Sequence, residues 1–183
     1  MKRLLGAIAL AAACFAPAQA ADYKLGTITI SDPWVRATPG KAKNGAGYLE
    51  IHNMGEPDRL LSASSNVSKR TELHTHIADN GIMRMRKIEG GIELPHGGTA
   101  VLKPHGNHVM LMGLDKPLKE GEMVHLTFTF EKAGEISIDV PVMPVGHMGS
   151  PMHKNKMDHG HGMKKDMKGH GHGSGMKKDM KAE

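Results

Sequence analysis

Through the middle of the chain, apolar and polar residues alternate with a period of two. On that pattern the segments 27–30, 48–52, 72–77, 83–88, 100–103, 108–112, 123–130 and 135–140 read as β-strands. Turn residues separate them: Thr38-Pro39-Gly40, 53–57, Asp79-Asn80-Gly81, 95–98, 104–107 and 119–121. Asp79-Asn80-Gly81, lying between two alternating runs, predicts a tight hairpin. No segment carries a sustained apolar stripe at the helical period. Short strands with regularly spaced turns predict an all-β fold, an antiparallel β-sandwich.

The alternation stops near Val145-Gly146, and the composition changes with it. Residues 21–146 hold 14 Lys+Arg against 15 Asp+Glu, whereas residues 147–183 hold 8 Lys against 4 acids. The net charge of +5 therefore belongs to the ends of the chain. The body offers no basic groove for nucleic acid, and 3% aromatic residues argue against a reader of stacked bases. The body can bury roughly two-thirds of its unfolded surface in one core. Residues 147–183 contain no Leu, Ile, Val or aromatic residue and are expected to be a disordered tail in the absence of a ligand.

Lys2 and Arg3, the apolar run 4–15 and Ala18-Gln19-Ala20 have the order of a secretory signal, residues 1–20. The run is too short to span a bilayer. The expected product is a periplasmic protein beginning near Ala21, with no membrane span after cleavage. Ala11 stands where a lipidation signal ahead of Cys14 would usually carry Leu, so a lipoprotein anchor is not expected. Cleavage removes Cys14, the one cysteine. Soft-metal chemistry in an oxidising compartment then falls to thioethers, and a thiol nucleophile or blue-copper centre is excluded.

With 15 Met and 13 His, the chain is rich in the side chains that remain. Two stretches of the body concentrate them: Leu73-His74-Thr75-His76 with Met83-Arg84-Met85 across the hairpin, and His108-Val109-Met110-Leu111-Met112. Residues i and i+2 of a strand share a face and lie about 6.6–7 Å apart. His108 and Met110 can thus converge on one ion while Val109 and Leu111 turn inward. His74 pairs with His76, and Met83 with Met85, in the same way. Thioether sulfur is soft, neutral and has no proton to lose, so a mixed His/Met set favours Cu(I), where imidazole alone would suit Zn, Ni or Cu(II). Met54, Met112, Met123 and Met143 read as core filling. His52, His96, His105 and His125 read as surface residues.

The run His74-x10-Met85-x22-His108-x-Met110 resembles the signature of the periplasmic copper chaperone family written PCu(A)C. The flanking text is similar too: Gly81-Ile82-Met83-Arg84-Met85-Arg86, Leu102-Lys103-Pro104 and His108 through Leu114. The resemblance covers residues 28–142. It implies a cupredoxin-like Greek-key sandwich that binds Cu(I) through His74, Met85, His108 and Met110. It also implies delivery of the ion toward cytochrome c oxidase, at subunit II or through another copper-assembly protein. The middle spacing is one residue longer than the family's usual one. The loop Glu89-Gly90-Gly91-Ile92 is the place where an insertion is tolerated. A register shift inside the strand would instead turn Met85 away, and whether His76 or Met83 joins the set is left open.

The tail holds six His and seven Met: His147, Met148, Met152, His153, Met157, His159, His161, Met163, Met167, His170, His172, Met176 and Met180. The run from His159 to Lys168 recurs, with a short insertion, from His170 to Lys181. His-Gly-His suits Cu(II), and Met-x3-Met adds soft sites for Cu(I). A Gly-rich chain of this length has an r.m.s. span of roughly 30–35 Å, enough to reach a body of radius about 14 Å. The expected function is copper transfer, not catalysis. The rival within metal handling is a periplasmic copper buffer or resistance protein without a dedicated recipient. A copper redox enzyme lacks its Cys and enough body His, and an open zinc site would need His or carboxylate where Met stands.

Overall fold

The structure, a computed structural model, describes residues 22–149. The expected signal and the tail beyond Gly149 lie outside the described residues. The strands are β1 (Tyr23–Leu25), β2 (Ile28–Arg36), β3 (Asn44–Asn53), β4 (Asp58–Ser65), β5 (Ser68–Asp79), β6 (Ile82–Lys87), β7 (Ile92–Leu94), β8 (Gly98–Leu102), β9 (His108–Leu114), β10 (Met123–Phe130) and β11 (Gly134–Met143). Among the described residues none is helical, and no helix is long and apolar enough to cross a membrane.

One sheet runs β6-β5-β9-β3-β2, with β1 on β2 and β8 sharing an edge of β3 with β9. The other runs β11-β10-β4-β7. β11 pairs with β10 along most of its length, and its last residues, Val142 and Met143, pair in parallel with Val35 and Arg36 of β2. That strand therefore closes one corner of an otherwise antiparallel sandwich. One apolar cluster draws Ile51, Leu73, Val109 and Leu111 from the first sheet and Leu60, Leu126, Phe128 and Val140 from the second.

Asp79-Asn80-Gly81 forms the expected hairpin. Asp79 pairs with Ile82, and Asn80 and Gly81 both take positive φ, 51° and 79°, as a two-residue turn of this twist requires. Three strands, β1, β4 and β7, add to the sequence reading. The core reading of four methionines is corrected: none of Met54, Met112, Met123 and Met143 enters the core cluster. Met54 and Met123 are 70% and 57% exposed, and the Met112 sulfur meets the Arg70 guanidinium at 3.7 Å. The core is filled by Ile, Leu, Val and Phe, which leaves the sulfurs on outward-facing positions.

β2 carries a bulge that matters for the site. Ser31 pairs with Glu50 and Trp34 with Tyr48, so Asp32 and Pro33 together oppose Leu49. Asp32 sits at φ 46°. Before the bulge Ile28 and Ile30 face the core; after it Val35 does, and Trp34 and Arg36 turn to the outer face.

Candidate metal centre

The outer face of β6-β5-β9 carries the predicted side chains. Val109 and Leu111 are fully buried in the core, so His108 and Met110 share the opposite face, as expected. His74 pairs directly with His108, and their ring centroids are 6.0 Å apart. Met110 pairs with Glu72. Met85 pairs with His76, which puts it diagonal to His74. It keeps the face shared with these histidines, and the Glu89–Gly91 turn follows β6 without disturbing that face. Met85 and Met110 line one open cleft of about 290 Å³ together with Arg36 and Tyr48. Met83 pairs with Ala78, one step nearer the hairpin tip, and is 60% exposed.

Each of the two imidazoles is held by a hydrogen bond through one ring nitrogen. His108 is only 2% exposed. Its Nδ1–H donates to the Gly106 carbonyl at 3.0 Å, which leaves Nε2 as the free lone pair. Burial, with the neighbouring His76 and His74 adding to it, pushes the His108 pKa below its usual value and keeps the ring neutral. His74 uses the opposite nitrogen. Its Nε2–H donates to Glu72 at 2.8 Å, while its Nδ1 is buried without a hydrogen bond. The hydrogen bond from His74 holds the Glu72 carboxyl below the usual carboxylate range, against a smaller opposing effect of burial. A carboxylate behind a ligating imidazole fixes the tautomer and raises the basicity of the ligand. Among the described residues no three His, Cys, Asp or Glu side chains are grouped to hold an ion.

Sequence reasoning passed over the aromatic and cationic side chains beside the cleft. Trp34 and Tyr48 pack at 4.3 Å between centroids, and Tyr48 lies 6.4 Å from His108. The Arg36 guanidinium sits 5.3 Å from the Tyr48 ring and 5.5 Å from the Trp34 ring. Burial raises the Tyr48 pKa, so the phenol adds no negative charge. The start of the tail lies alongside. His147 packs edge-on to Trp34 at 4.6 Å, and Arg36 donates to the His147 carbonyl at 3.2 Å. Glu72 was recoverable from the sequence, since Glu72 and His74 share a face by the same parity that pairs His108 with Met110. Trp34 and Arg36 were not, because the bulge alone puts them there.

Residues 28–142 match the family described as putative lipoprotein LpqE-like. Putative lipoprotein Lxx21020 of Leifsonia xyli subsp. xyli (strain CTCB07) is 31% identical over 140 residues, spanning 76% of this chain and 83% of its own. Among solved structures, the chain is similar to the copper-bound PCuAC domain from PmoF2, at 29% identity and a TM-score of 0.58, over 68% of this chain and 98% of that one. It is also similar to the CuI form of DR1885 from Deinococcus radiodurans, at 28% identity and a TM-score of 0.50, over 72% and 85% of the two chains. The chain belongs to the LpqE-like family, the family of the PCuAC domains.

Proposed function

We propose that this protein is a copper chaperone that binds Cu(I) through His74, Met85, His108 and Met110. The observation that carries the reading is two imidazoles, each with one nitrogen hydrogen-bonded and the other without a hydrogen bond, on one sheet face with two thioethers. The copper-bound forms of similar domains support it. Every donor is uncharged, so the set suits a soft monovalent ion over Mg or Zn. The protein works in the periplasm as a transfer protein, not an enzyme, and passes its ion toward the copper centre of cytochrome c oxidase. The His/Met-rich tail captures further copper, as Cu(I) or Cu(II), and raises the local supply to the body site.

The test is competition for Cu(I) against a chromogenic chelator, with the wild-type chain, Met110→Ala and His108→Ala. One tight equivalent lost in both variants is expected. Equal tight binding in all three would leave the tail as the only copper binder and make buffering the function.

A further inference from the structure

β5 runs five residues past His74, the partner of the first residue of β9, so His76 has no β9 partner and faces the turn that precedes that strand. That turn supplies His105, an exposed residue held at φ 64°. The His76 and His105 ring centroids are 6.2 Å apart, and His76 lies 5.2 Å from His108. An ion bound at about 2.0 Å lies about 3.2 Å from each imidazole centroid, so two imidazoles on one ion have centroids roughly 5–6.5 Å apart. The four rings His105, His76, His108 and His74 therefore step from solvent to a buried position, each within ion-sharing distance of the next.

We infer that His76 and His105 form a second, outer copper position, from which the ion reaches the inner set by exchanging His105 for His108. Two imidazoles at this spacing accept Cu(I) in the near-linear two-coordinate geometry open to a d10 ion. With two donors instead of four they hold it more weakly than the inner set. Nothing is oxidised or reduced, since one neutral imidazole replaces another on the same ion. The position itself stands on the His76–His105 geometry, and its part in loading rests on the copper reading of the inner site.

Residue-resolved NMR of the imidazole rings in the full chain tests this, with Cu(I) supplied anaerobically as its acetonitrile complex. The His74 and His108 signals are expected to shift with the first tight equivalent, and His76 and His105 to shift together in a later, weaker step. His105→Asn removes the imidazole while tolerating a left-handed backbone. In that variant the weak step at His76 disappears, the first step stays, and copper exchange at His108 slows several-fold. His76 and His105 signals unmoved at saturation would overturn the inference. So would His76 shifting in the first step, unaffected by His105→Asn, because it would then belong to the inner set. Unchanged exchange at His108 would overturn the loading role. Shifts at His76 and His105 with none at His74 and His108 would keep the outer position and remove the inner copper site instead.

Discussion

His74 and His108 face each other across β5 and β9, yet they present opposite nitrogens: Nδ1 is free on His74 and Nε2 on His108. The difference comes from what holds the other nitrogen, a carboxylate for His74 and a backbone carbonyl for His108.

That asymmetry makes Glu72 a positioning residue. Glu72→Gln keeps the shape but can hold either tautomer of His74, so Cu(I) affinity should fall by about 10–100-fold. Competition with a chelator reads the loss, and the thermal midpoint of the copper-free protein should move little, since Glu72 lies outside the core.

Acid should destabilise the copper-free protein through His108. Its pKa is lowered in the folded state, so between that value and the ordinary one of about 6.5 the unfolded chain binds more protons. Stability is then complete above about pH 6.5, falls as pH drops through the folded pKa, and levels off below it. Thermal unfolding from pH 8 to 5 measures this, and His108→Asn should flatten the slope in that window.

Removing residues 150–183 should abolish the copper equivalents held by the tail and spare one tight Cu(I) together with the weaker His76–His105 position. The cut leaves His147 and Met148, which Arg36 and Trp34 hold against the body. Equilibrium dialysis with metal analysis counts the ions, and loss of the tight one would refute the separation of body site from tail.

Leu111 is fully buried and alternates with Met110 and Met112. Leu111→Ala should cost about 2–5 kcal/mol in chemical unfolding through the cavity it leaves. Copper stoichiometry at low temperature should persist, because the ligands point the other way.

Period-two parity made much of the site legible. It put His74 with His76, Met83 with Met85 and His108 with Met110, and the Asn80-Gly81 pair announced the hairpin. Parity within a strand says nothing of register between strands that no tight turn joins, so His74 opposite His108 and the nearness of His105 emerged only from the fold. β4 escaped for a related reason. Its buried residues Leu60 and Ala63 are three apart, because a register shift where it meets Thr129 and Phe130 breaks the alternation. The methionines were misread as core because Met is adaptable packing in most proteins, whereas here branched aliphatics and Phe fill the interior.

The bulge in β2 sets the phase of everything after it in that strand. With the same residues kept in plain alternation and no bulge, the strand would slip by one, sending Arg36 and Trp34 inward and Val35 out into the cleft. The surface beside the proposed copper ligands is thus specified by a backbone irregularity as much as by the side chains that form it.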